Sequence, residues 1–176
     1  MDILQNQYIK LRALESEDLE FLFSTENNTD FWEVSSTLTP FSKDVLRQYI
    51  ANAHQDIYEA KQLRLVIVST SNNQIFGLID LFDFNPQHLR AGIGILILKK
   101  FQNKGYATEA LKLFINYAFT QLNLHQLYAN IPTSNGNSID LFKKLSFQLT
   151  GTKKDWIRSS GIYKDVHLYQ LLNKLK

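Results

Sequence analysis

The segment Gly94-Ile95-Leu96-Ile97-Leu98-Lys99-Lys100-Phe101-Gln102-Asn103-Lys104-Gly105-Tyr106-Ala107-Thr108-Glu109-Ala110-Leu111 constrains the chain more than any other. It takes an apolar strand through a short turn straight into an amphipathic helix. The first N–H groups of a helix have no partner inside the helix, and the helix dipole adds partial positive charge there, so the junction suits a bound diphosphate. Gly105 permits the positive φ and the close backbone approach that such a turn needs, and Ala107 keeps the next contact small. Leu111, Phe114, Ile115, Ala118 and Leu122 follow at helical spacing and form an apolar stripe that must face a sheet. That stripe fixes the turn in place.

Around this junction the pattern alternates irregularly between strands and helices, with no internal repeat and no long linker. Tyr8 to Arg12 reads as a first strand, and Ser16 is placed to cap a helix from Glu17 to about Ser24. Asn27 to Thr39 reads as polar and irregular, and Ser42 as the cap of a helix from Lys43 to about Tyr58. Leu63 to Ser69 and Gln74 to Phe84 form a hairpin around Ser71-Asn72-Asn73, followed by a strand from Ala91 to Leu98. His125 to Ile131 reads as a strand, Ser138 to Leu145 as a short helix, and Tyr163 to Leu172 as closing strands. This order predicts one domain over residues 1–176, α/β (α+β) in class, with a mixed sheet covered by helices on both faces.

Composition excludes several chemistries. Cysteine is absent, which removes disulfides, thiolate metal sites and a thiol nucleophile. His54, His88, His125 and His167 are widely separated without ligand spacing, so no metal is expected. A net charge of +2, with Lys and Arg scattered along the chain, lacks the dense basic run of a nucleic-acid binder. No stretch reaches the length of a membrane span, and no leader pattern opens the sequence, so the expected location is cytoplasmic. The turn is also not a nucleotide-hydrolase loop, because Lys104-Gly105 stands outside any Gly-x-x-x-x-Gly-Lys-Ser/Thr pattern.

Gln102 to Ala107 match Gln/Arg-x-x-Gly-x-Gly/Ala, and here the sequence resembles the GNAT superfamily of acyl-CoA-dependent N-acyltransferases. The resemblance continues through Thr133-Ser134-Asn135-Gly136-Asn137-Ser138-Ile139-Asp140-Leu141-Phe142-Lys143-Lys144-Leu145-Ser146-Phe147, which looks like the family's Asn-x-x-Ala/Ser-x-x-Leu-Tyr-x-Lys-x-Gly-Phe element. It begins at Leu11-Arg12-Ala13-Leu14 and Asp18-Leu19, so nearly the whole chain is covered, as in the family's ribosomal-protein and spermidine acetyltransferase branches. The resemblance implies a mostly antiparallel sheet with a splayed strand pair. It also implies acetyl-CoA as cosubstrate, its pantetheine arm paired with the backbone of Ile95, Leu96 and Ile97. Gln102, Asn103, Lys104, Gly105, Tyr106, Ala107 and Thr108 would hold the diphosphate, with Asn135 and Phe142 beside the cofactor.

An amine acceptor is implied, either a polyamine-like small molecule or a protein or peptide amine, attacking directly in a ternary complex. With a pKa near 10.4 such an amine is almost wholly protonated at neutral pH, so a proton acceptor is needed. Two departures from the family fall on these groups. Phe142 stands where the family often has a tyrosine that protonates the leaving thiolate, and Gly92 where close relatives carry a glutamate. The remaining candidates are Asp80, in the apolar run Gly77-Leu78-Ile79-Asp80-Leu81 where burial would raise its pKa, then Glu33, and lastly Asp83. Spermidine acetyltransferases carry paired acids before the proline, where this chain has Ser36-Thr37-Leu38-Thr39 ahead of Pro40. These departures motivate a second reading, a catalytically weak acyl-CoA-binding protein on the same fold. Homo-oligomerisation is compatible with either.

Overall fold

The computed structural model of the protein describes residues 3–35 and 37–174. Ser36 of the stretch before Pro40, and Met1 and Asp2 of the amino-terminal reading, lie outside the described residues. Internal contacts divide the chain into two compact units, one formed by residues 1–12 with 56–176, the other by residues 13–55.

The larger unit is built on a seven-stranded sheet with strands β1 (Ile9–Arg12), β2 (Leu63–Ser69), β3 (Ile75–Asn85), β4 (Arg90–Ile97), β5 (Gln126–Pro132), β6 (Gln148–Ser159) and β7 (Ile162–Leu172). Their spatial order is β1-β2-β3-β4-β5-β7-β6. Every pairing is antiparallel except β4 with β5. Leu65 to Val68 are buried in succession, as are Phe76 to Ile79, which is why β2 and the first half of β3 read as continuous apolar runs rather than alternating ones. Helix α5 (Tyr106–Thr120) lies across β1, β3 and β4. It buries Ala110, Leu111, Phe114 and Ala118 completely, while Ile115 and Leu122 from the predicted stripe pack at its margin. Short helices α4 (Ile57–Ala60) and α6 (Gly136–Lys144) complete the unit.

The smaller unit holds α1 (Leu19–Glu26), α2 (Thr29–Ser35) and α3 (Lys43–Ala51), with α1 packed on both others. The predicted cap at Ser16 is replaced by a 3-10 turn, Ser16–Asp18, in which Asp18 Oδ2 accepts from the Glu15 N–H at 2.9 Å. The segment expected to be irregular contains α2, because Asn28 Oδ1 accepts from the Asp30 N–H at 3.0 Å and so supplies a helix start. Trp32 secures that helix by donating Nε1–H to Glu26 O at 2.8 Å. Ser42 caps α3 as expected, its Oγ accepting from the Val45 N–H at 3.2 Å. The helix nevertheless ends at Ala51 rather than Tyr58. Asp56 Oδ1 takes the N–H groups of Tyr58 and Glu59 at 2.8 and 3.0 Å, which starts a separate helix, α4. Strand β6 was not predicted; its exposed Thr152, Lys154, Asp155 and Trp156 hide the alternation of an edge strand.

Candidate active site: a splayed strand pair above a helix start

Strands β4 and β5 pair for three residues only, with Arg90 opposite Gln126, Ala91 opposite Leu127 and Gly92 opposite Tyr128. Beyond that point β5 stays with β7 as far as Pro132, and β4 stays with β3 as far as Ile97. The two strands therefore part after Gly92 and Tyr128. Among the described residues, no strand pairs with that edge of β4 beyond Gly92.

The hydrogen-bond parity of β4 fixes which groups face that opening. The Leu98 N–H donates to Phe76 O at 2.9 Å, and the β3–β4 register runs without a shift from Gly77 opposite Ile97 to Phe82 opposite Gly92. Backbone groups of successive residues alternate sides, so Leu98, Leu96 and Gly94 turn toward β3 while Ile93, Ile95 and Ile97 turn toward the opening. The carbonyl of Leu96 agrees, since it reaches to within 1.9 Å of where a Cβ on Gly77 would sit. Of the three residues expected to meet the pantetheine arm, Ile95 and Ile97 face the gap and Leu96 does not. The Ile97 carbonyl is already taken, by Gln102 Nε2 at 2.9 Å. Gln102 thus ties the turn back to the end of the strand.

The turn opens with a 3-10 segment, Lys99–Phe101, in which the Phe101 N–H donates to Leu98 O at 2.8 Å. Asn103 at φ +60° and Gly105 at φ +86° both enter the left-handed region, the first tolerated by a short amide side chain and the second free for glycine. Gly105 is the N-cap of α5, and its carbonyl accepts the Glu109 N–H at 3.1 Å. Among the described residues none accepts a hydrogen bond from the N–H groups of Asn103 to Thr108. Tyr106, Ala107 and Thr108 supply the first turn of the helix, where such groups converge. Three aromatic rings hold the turn against the sheet. Phe76 stacks on Tyr106 at 4.1 Å between centroids and packs on Phe101 at 4.7 Å. Lys100 and Lys104 place their ammonium groups over Phe101 at 4.9 and 5.7 Å, which keeps two cations beside the empty donors. The acid in this helix turn, Glu109, is occupied by Asn6 Nδ2 at 2.9 Å and Lys112 at 3.1 Å.

Asn135 caps α6, its Oδ1 accepting from the Ser138 N–H at 3.2 Å. Phe142, expected beside the cofactor, is buried in the core edge-to-face with Phe147 at 5.0 Å. Asp80 is half-buried and ion-paired to Arg64, its direct cross-strand partner on β2. The apolar isolation expected from its sequence neighbours is not what it meets, because cross-strand geometry supplies a guanidinium that the local sequence does not show. Glu33 lies on α2 in the smaller unit, half-buried.

The missing carboxylate at Gly92 has a structural counterpart. A Cβ there would fall 2.2 Å from Phe82 Cε2, so the Phe82 ring fills the space such a side chain would need. Gly92→Glu alone is therefore expected to lower stability by about 1–3 kcal/mol. Thermal melting checks it, and adding Phe82→Ala should recover part of the loss.

On the same face, Tyr128 meets Phe82 edge-to-face at 5.9 Å and donates its hydroxyl to Asp83 Oδ2 at 3.4 Å. Burial pushes the Tyr128 phenol above its ordinary pKa, the Asp83 charge and hydrogen bond add to that, and Arg90 opposes it. Sequence reasoning missed Tyr128 and ranked Asp83 last. The two are brought together by a register shift between Phe82 and Asn85, which carries Asp83 to φ +48°. Among the described residues no group of three His, Asp or Glu gathers to hold a metal ion, and no helix is long and apolar enough to cross a membrane.

The family model described as Acetyltransferase (GNAT) domain matches residues 9–148. The chain is 31% identical over 160 residues to spermidine N(1)-acetyltransferase of Escherichia coli K12, covering 89% of this chain and 82% of that one. Among solved structures, spermidine N-acetyltransferase from Vibrio cholerae in complex with CoA and spermine is similar at a TM-score of 0.86 and 28% identity, covering 95% and 96% of the two chains. A dodecameric structure of the Vibrio cholerae enzyme is similar at 0.79 and 29%, covering 95% of each. The splayed strands, the donor-rich turn and the match across both units lead to one conclusion: the chain belongs to the GNAT acetyltransferase family and is an N-acetyltransferase.

Proposed function

We propose that the protein transfers the acetyl group of acetyl-CoA to a primary amine of a polyamine-like small molecule, by direct attack within a ternary complex. The observation that carries the reading is the open edge of β4 leading into a helix start whose N–H groups have no protein acceptor among the described residues. In it, the diphosphate lies across residues 103–108, with Lys100 and Lys104 adding charge. The pantetheine arm pairs with Ile95 and with the Ile97 N–H. A backbone N–H aimed at the thioester oxygen is worth about 3 kcal/mol in a dry site, which requires no particular side chain. Asn135, already engaged in its cap, meets the cofactor through the exposed start of α6.

The polyamine acceptor is supported by the relatives, whose names specify spermidine and, for one structure, bound spermine. A homo-oligomer is supported by the dodecameric neighbour. A single acetyltransferase domain is supported by the family match, which runs from residue 9 to 148 across both units. The same reading keeps the protein in the cytoplasm with its cosubstrate. Incubation with acetyl-CoA and spermidine, spermine, amino acids and peptides, following thiol release, tests the assignment. Turnover with the polyamines is the expected result. Tight CoA binding with no turnover on any amine would instead establish the acyl-CoA-binding alternative.

We assign Asp80 to holding Arg64 and the face they share rather than to proton transfer, and keep Glu33 on α2 as a candidate carboxylate. Asp80→Asn should then cost about 2 kcal/mol of stability, as for a lost hydrogen bond to a charged group, and leave the pH dependence of kcat unchanged. A shifted pH profile in that variant would restore Asp80 as the base.

A further inference from the structure

We propose that Tyr128 and Asp83 form the proton-transfer pair for the attacking amine, taking over the task of the carboxylate absent at position 92. The inference rests on the acetyltransferase reading above, and four features of the sheet carry it. Tyr128 is the last residue of β5 paired with β4, so its side chain stands at the point where the strands separate. It shares a face with position 92, because the Phe82 ring touches both the site of a Gly92 Cβ and the Tyr128 ring. Its hydroxyl already points at a carboxylate, Asp83 Oδ2, 3.4 Å away. Asp83 reaches it only through a left-handed backbone conformation at a strand irregularity, and such irregularities serve to re-aim a side chain. The other charged group acting on the phenol is Arg90 on β4, and the residue facing Tyr128 from β7 is the uncharged Gln170.

An ammonium group loses one proton to the Tyr128 oxygen while the phenolic proton passes to Asp83, leaving a neutral amine. Its nitrogen attacks the thioester carbonyl carbon, the C–N bond forms and the C–S bond breaks, and the electron pair leaves on the CoA sulfur. The second proton of the nitrogen goes to that thiolate, so CoA departs as the thiol, and Asp83 returns its proton to solvent. A phenol held protonated suits this relay, since it accepts and passes on a proton without resting as phenolate beside a carboxylate.

The test is steady-state kinetics of the full-length wild type, Tyr128→Phe, Asp83→Asn and the double variant, with acetyl-CoA and spermidine across pH, alongside calorimetric binding of CoA. Tyr128→Phe keeps the ring on Phe82, and asparagine tolerates the backbone at position 83, so both variants keep the fold. Expected is a loss in kcat of about 100-fold for Tyr128→Phe at neutral pH, in the usual range for general acid–base groups. The double variant should be no slower than Tyr128→Phe, as for residues that act as a unit. The loss should shrink as pH rises toward the amine's own pKa near 10.4, where solvent has already removed the proton, with CoA affinity unchanged. A pH-independent loss would reduce the pair to a structural role and overturn the proposal. So would full activity in Tyr128→Phe, although the acetyltransferase reading would stand. A wild type inactive on every amine would remove both.

Discussion

Gly105→Val should weaken CoA binding by at least about 100-fold, equivalent to about 2.7 kcal/mol, while leaving the sheet folded. Two effects combine. Gly105 sits at φ +86°, where a β-branched residue is a genuine outlier and even an unbranched one costs about 1–2 kcal/mol. A Cβ there would meet no protein atom within 4 Å, so the added bulk does not clash with the fold. It projects into the open space beside the unpaired N–H groups, where the proposed reading puts the diphosphate. Calorimetric titration with CoA, paired with a thermal melt, separates the two contributions. Gly105→Ala bears the backbone strain with little bulk, so a smaller loss in that variant would isolate the steric part. Unchanged CoA affinity in Gly105→Val would remove the turn from cofactor binding altogether.

The second large effect is expected at Gly77, directly across the β3–β4 ladder from Ile97. A Cβ on Gly77 would lie 1.9 Å from Leu96 O, 2.9 Å from Leu96 C and 3.0 Å from Ile97 Cα, all backbone atoms that no rotamer change can move. Gly77→Ala must therefore push β3 and β4 apart, at a cost of about 3 kcal/mol. For a chain of this size that corresponds to a melting temperature lower by roughly 10 °C. Because β4 carries the gap-facing groups of Ile95 and Ile97, the variant should also lose acetyl-CoA affinity while it remains folded. A melt within a degree of wild type, checked by circular dichroism, would show that the strands adapt and that the close approach is dispensable.

What the sequence made legible was whatever depends on local chemistry. The strand, turn and helix around Gly105 follow from apolar periodicity, one positive-φ glycine and a helix that needs a sheet beneath it. The cap at Ser42 was readable for the same reason. What depends on a partner distant in the chain was not legible. Asp80 looked isolated because Arg64 is its neighbour only across β2 and β3. Tyr128 and Asp83 lie 45 residues apart and meet only because the register slips after Phe82. The emptiness at Gly92 looked like a lost catalytic group, yet the Phe82 ring already occupies it. Short helices failed for another reason. Asn28 and Asp56 are as common in turns as in caps, and which role they take is decided by whether a following backbone N–H comes within reach.

The bond from Gln102 to the Ile97 carbonyl gives the opening letter of the turn motif a mechanical meaning. What that position demands is an N–H donor on a stem long enough to span five residues back to the strand end. Glutamine and arginine both provide one, so the motif's indifference between a neutral amide and a full positive charge follows directly. Glutamate has the same length but offers only acceptors, and would leave the carbonyl bare. The residue works as a brace that holds the start of the turn to the end of β4.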